Sequence, residues 1–155
     1  MAVKLNEEVI GALNNRENIK VLATVDKQGL PHAAFKENIF FDNDKIILLE
    51  LIETSQTNSN MVHSIWFNKP VSISVKDGKN NSWHIRGLPK KTHIAGPVYE
   101  KYYVQEAEKN PEIDLGAVWE IEPLEVKNQT FSAVLAEERA RHPYLYHLDK
   151  IAKSD

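Results

Sequence analysis

The stretch Thr54-Ser55-Gln56-Thr57-Asn58-Ser59-Asn60 sets seven uncharged polar residues in a row, and Met61, Val62, Ile65 and Trp66 follow at helical spacing. An apolar run precedes it, so the segment reads as a strand-to-helix junction. Exposed N–H groups and the dipole at a helix start favour an anion, and hydroxyls and amides can complete a phosphate's coordination without cations. Ser, Thr and Asn are equally the ordinary capping residues, so a simple cap fits the same spacing. Glu50 and Glu53 flank Leu51-Ile52 beside the junction. They would do acid–base work if one were buried, and are otherwise solvated strand-end carboxylates. Trp83, Trp66 and the pair Phe40-Phe41 could wall a planar ligand, although aromatics at these periods also build core.

Other chemistries find little support. The six histidines are scattered, no HExxH occurs, and Pro143 separates His142 from His147, so no metal site is expected. The cysteine count of zero removes thiol catalysis, disulfides and thiolate metal ligation. There is no GxSxG, no P-loop, and no GxG pair among the six glycines. Lys plus Arg number 19 against 22 Asp plus Glu, a formal charge of −3, which gives no global pull on nucleic acid or anionic membrane. Apolar runs such as Ile46-Ile47-Leu48-Leu49 fall far short of the ~20 residues that cross a bilayer. Glu7 and Glu8 interrupt the place where an export signal would need apolar residues, so a cytoplasmic protein is expected.

These residues must be positioned by one core, since 155 residues are about one domain. Asn6 can cap a short helix reaching about Asn14. Ile19, Val21, Ala23 and Val25 alternate with Lys20 and Thr24, a half-buried strand with the apolar set inward. Asp26-Lys27-Gln28-Gly29 supplies a turn, and a second strand is expected to run through Phe35 as far as Phe40 and Phe41. Lys45 to Leu51 is the next strand. The helix beyond the polar segment ends at Asn68-Lys69-Pro70. Val71, Ile73 and Val75 then share one strand face, and Trp83 and Ile85 oppose His84 and Arg86 on another. Gly96-Pro97 opens a helix that Asn110-Pro111 closes. Ala117, Trp119 and Ile121 mark a last strand, Phe131 to Arg141 a further helix, and His142 to Tyr146 an extended tail. Strands in meanders with short helices between them point to a mainly β fold, a closed or nearly closed antiparallel barrel with helices outside it.

Taken in order, Leu22-Ala23-Thr24-Val25-Asp26-Lys27-Gln28-Gly29-Leu30-Pro31-His32 resembles the opening hairpin of the pyridoxamine 5'-phosphate oxidase-like family of FMN-binding split barrels. The apolar strand into the Ser/Thr-rich segment, Asn68-Lys69-Pro70, and Val71-Ser72-Ile73-Ser74-Val75 are similar to its cofactor-loop region. Ile85-Arg86-Gly87-Leu88 and Trp119-Glu120-Ile121-Glu122-Pro123 resemble later core strands. The likeness runs from about Asn6 to Val126.

This resemblance implies a six-stranded antiparallel split β-barrel with short outer helices over residues 1–126. Residues 127–155 would be a C-terminal extension packing on the barrel or the dimer partner. It implies a homodimer with FMN sites at the interface, and a small-molecule substrate or electron donor. Phe35, Lys36 and Glu37 would lie beside the isoalloxazine. Thr54, Ser55, Gln56 and Thr57 would meet the ribityl phosphate, helped by Asn58, Asn60 and Met61, and Trp83 would fall near the ring. His32, His84 or water would move protons. Family members usually carry Lys or Arg in the phosphate loop, and Thr54 to Asn60 holds neither. The C-terminus also lacks the arginine-containing segment of true pyridoxamine phosphate oxidases, so vitamin B6 oxidation is not the expected reaction. The expected activity is that of a flavin-dependent oxidoreductase, with flavin or haem storage or sensing as the alternative.

Overall fold

In the computed structural model, residues 2–142 are described. The expected extended tail, apart from His142, lies outside them. The elements in chain order are α1 (Glu7–Asn14), β1 (Ile19–Val25), β2 (Pro31–Phe35), β3 (Ile39–Asp42), β4 (Lys45–Glu50), α2 (Gln56–Phe67), β5 (Val71–Lys76), β6 (Ser82–His93), α3 (Pro97–Lys109), β7 (Ala117–Asn128) and α4 (Phe131–Arg141). All strands join one antiparallel sheet in the order β2-β1-β5-β6-β7-β4-β3. The fold is mainly β as expected, with seven strands where the family resemblance implied six.

The extra strand arises where one long strand was expected to continue from Phe35 to Phe41. The chain breaks at Lys36-Glu37-Asn38, so β2 pairs with β1 while β3 pairs with β4 at the opposite edge of the sheet. Phe35 and Ile39 are four residues apart and can be separated by at most about 15 Å. A sheet whose two edge strands are joined by so short a link must curl until the edges approach, and that curl is the split barrel. Register shifts between β6 and β7 at Arg86/Gly87 and Pro89/Lys91 supply the bends. Gly87 leaves no room for a side chain: a Cβ there would come 2.5 Å from Ile121 Cγ2.

β1 faces the opposite way from the sequence expectation. Lys20, Leu22 and Thr24 point inward and are buried, while Ile19 is 52% exposed. The reversal is possible because both inward polar groups find partners. Thr24 Oγ1 accepts from Asn60 Nδ2 at 2.9 Å. Lys20 Nζ donates to the carbonyls of Leu13 at 2.8 Å, Glu37 at 3.2 Å and Ile39 at 2.8 Å. Lys20 thereby ties the C-terminal end of α1 to the corner where the chain changes edge. Burial pushes its pKa below the ordinary lysine value, and Arg16 adds to the effect.

Inside the curl, Leu22, Ile46, Leu48, Ile73, Ile85, Trp119 and Ile121 pack with Val9 and Leu13 of α1 and Met61 of α2. On the opposite face of β4 and β7, Ile47, Leu49 and Val118 meet Tyr102 of α3 and Leu115. Tyr102 donates its hydroxyl to Asp42 Oδ2 at 2.6 Å. Helix α4 buries none of its residues. Among the described residues no helix is long and apolar enough to cross a membrane.

Candidate functional site

The polar segment is more helical than its sequence suggests. Thr54 is exposed, Ser55 is the N-cap, and α2 begins at Gln56, so five of the seven polar residues lie inside the helix. Ser55 Oγ accepts from Asn58 N at 3.0 Å, and the next amide, of Ser59, bonds to the Ser55 carbonyl at 3.1 Å. Among the described residues the amides of Gln56 and Thr57 have no acceptor. A helix start of this kind leaves backbone donors unpaired at the positive end of the dipole, and of these two residues Gln56 is exposed.

The remaining side chains fix that turn from beneath. Asn58 donates Nδ2 to the Glu53 carbonyl at 2.9 Å and accepts from Trp119 Nε1 at 2.9 Å. Gln56 Nε2 donates to Asn60 Oδ1 at 2.7 Å, and Asn60 passes the chain of bonds on to Thr24. Thr57, Asn60 and Met61 are buried, Met61 wholly in the apolar core. Of the expected phosphate contacts, then, Thr54 and Gln56 are exposed and Ser55 half-buried, whereas Thr57, Asn60 and Met61 are buried beneath the turn.

Lys36 is brought to the same strand end. Its Nζ lies 3.0 Å from Glu50 Oε2, and the second carboxylate oxygen accepts from Ile52 N at 3.3 Å. Glu50 is 3% exposed, so it is a buried, paired carboxylate and not the solvated strand end that its position suggested. Gly116 packs against this corner: an added Cβ would meet Glu50 O and Glu53 N, both at 3.1 Å. Phe35 and Glu37 are exposed, Phe35 on the outer face of β2 and Glu37 in the link to β3.

Trp83 is 5% exposed. Its indole is buried in the core with Ile85, while His84 and Arg86 face outward as the alternation required. These two line a cleft of about 480 Å³ with Ser74, Glu125 and Lys127. Arg86 Nη2 sits 2.6 Å from Glu125 Oε2, and Lys127 Nζ 3.1 Å from its other oxygen. The sequence reading had no signal for this cleft beyond the polar face of His84 and Arg86, because Glu125 lies 39 residues after Arg86 on a different strand. His32 Nδ1 is buried without a hydrogen-bond partner among the described residues, as is Ser64 Oγ.

No family model and no curated protein matches the chain. Solved structures do. A putative pyridoxamine 5'-phosphate oxidase from Lactobacillus delbrueckii is 20% identical with a TM-score of 0.60, covering 80% of this chain and 93% of that one. An FMN-binding protein from Syntrophomonas wolfei is 12% identical with a TM-score of 0.62, over 80% of this chain and 88% of that one. HutZ, the heme storage protein of Vibrio cholerae, is 15% identical with a TM-score of 0.59, over 81% and 95%. Identities this low establish the fold: the chain has the split barrel of the pyridoxamine 5'-phosphate oxidase-like, FMN-binding proteins.

Proposed function

We propose that the chain is a cytoplasmic, homodimeric FMN-binding protein acting as an oxidoreductase on a small molecule. The observation that supports this most is the start of α2 in a split barrel. There the unpaired Gln56 amide and the exposed Thr54 side chain give a neutral donor set for a phosphate dianion, on a turn held in place by Trp119 and Asn60. Lys36, paired with Glu50, places a cation at the end of the strand that leads into that turn. FMN would supply one- or two-electron transfer; the protein binds and orients it and screens it from water. Charge-assisted bonds are roughly twice as strong as neutral ones, so a site lacking basic loop residues binds the phosphate less tightly than a cationic one.

The homodimer rests on the outer face of the sheet. β1 turns Ile19, Val21, Ala23 and Val25 outward, and Phe35 beside them is 79% exposed. An apolar surface of that kind is what a second copy would bury.

The test is a titration of purified protein with FMN, followed by the flavin's visible bands and the quenching of its emission. Saturable binding at micromolar FMN, with turnover by a reduced nicotinamide donor, supports the oxidoreductase reading. Bound flavin that no donor reduces points to storage, and a Soret band with haemin but no response to FMN points to haem. No response to either sinks the reading.

A further inference from the structure

A second cleft, of about 730 Å³, lies at the start of β4, while the α2 turn follows its end. The two are separated by the length of that strand, about 17 Å. The cleft's apolar floor comes from Leu5, Phe41, Ile121 and Pro123, and its volume is within the ~300–1,000 Å³ usual for small-molecule sites. One wall is the N-terminal segment, fixed by a hydrogen bond from Val3 N to the Pro123 carbonyl at 2.8 Å and by burial of Leu5.

The rim is cationic by construction. Consecutive strand residues ordinarily point to opposite faces. In β6 the register passes from Pro89 opposite Ile121 to Lys91 opposite Glu120, leaving Lys90 as the extra residue of a bulge. That bulge lets Lys90 and Lys91, adjacent in sequence, both line the cleft, joined by Lys4 and Lys45. Three carboxylates also line it. Glu120 is neutralised in place, with Lys45 at 2.6 Å on one oxygen and His93 at 3.2 Å on the other, leaving Asp44 and Glu122. Lys4, Lys90 and Lys91 have no ion-pair partner among the described residues.

We propose that this cleft binds amphipathic organic carboxylates, with the anionic head at Lys90 and Lys91 and the apolar body against Phe41 and Ile121. The site is separate from the FMN reading and stands without it.

Calorimetric titration of the full chain at low salt, with decanoate, decanol and acetate, tests it. Decanoate should bind saturably, decanol roughly tenfold more weakly or worse, and acetate not measurably. The double variant Lys90→Gln/Lys91→Gln should lose roughly tenfold in decanoate affinity, keep its decanol affinity, and leave the melting temperature and the FMN titration unchanged. Added salt should weaken decanoate alone. Equal affinity for decanoate and decanol would make the cleft a plain apolar groove and overturn the proposal. So would absence of decanoate binding, or a double variant that binds decanoate as the parent does.

Discussion

Replacing Lys20 by Met removes an ammonium while keeping the volume and the buried stem. The substitution leaves three carbonyls, of Leu13, Glu37 and Ile39, without the donor that now serves them at 2.8, 3.2 and 2.8 Å. A buried acceptor left unsatisfied costs about 1–3 kcal/mol. At the lower figure the three together give a loss of about 3 kcal/mol, because the freed desolvation of the ammonium offsets part of a larger sum. For a chain of this size that is a fall of about 6–12 °C in melting temperature. Urea unfolding followed by tryptophan emission should show a lower midpoint with an unchanged slope. There is a second signature. Lys20 has a folded pKa below its unfolded value, so between the two the unfolded chain binds more protons and stability gains from rising pH. The Met variant lacks that alkaline contribution, so the gap between parent and variant should widen as pH climbs towards ~10. A variant within about 0.5 kcal/mol of the parent at neutral pH would refute the view that this lysine clamps the corner.

Burial alone would raise the Glu120 carboxyl, but hydrogen bonds from Lys45 and His93 reverse this and hold its pKa below the ordinary carboxylate range. Its stabilisation is complete above the unfolded pKa of ~4.3 and is lost as pH falls through the folded value, so Glu120→Gln should flatten the acid limb of a midpoint-versus-pH curve. Gly116→Ala would push backbone at Glu50 and Glu53, where neighbours cannot swing aside. It should weaken FMN binding by more than it lowers the melting temperature, and equal binding by parent and variant would count against that corner as part of the site. Phe35→Asp places a charge on the outer face of β2 and should shift the molar mass measured by light scattering from dimer to monomer, leaving the circular dichroism spectrum unchanged.

The strands whose apolar positions alternate with polar ones were legible. Val71, Ile73 and Val75 face inward, and Trp83 with Ile85 opposes His84 with Arg86. Proline and asparagine marked the ends of α2 and α3, and Asn6 caps α1 by accepting from Val9 N at 2.9 Å. What the sequence concealed depends on partners far along the chain. The break at Lys36-Glu37-Asn38 contains no glycine or proline; it is held by Lys20, which sits 17 residues before Glu37. The inward face of β1 carries a lysine and a threonine, and alternation alone assigns such residues to solvent. Gln56 to Asn60 look like a loop because a helix seldom buries amides. Here Asn60 is buried against Thr24, 36 residues away, and polar satisfaction replaces apolar patterning. Glu50 reads as a solvated carboxylate until Lys36 is seen to reach it.

The bond from Trp119 Nε1 to Asn58 joins β7, whose indole is buried in the core, to the first turn of α2. The proposed phosphate turn therefore borrows its stiffness from the barrel core and not from its own loop. On that proposal, substitutions deep in the hydrophobic interior that barely alter folding should still blunt FMN affinity, since a slight tilt of one indole displaces the first turn of α2.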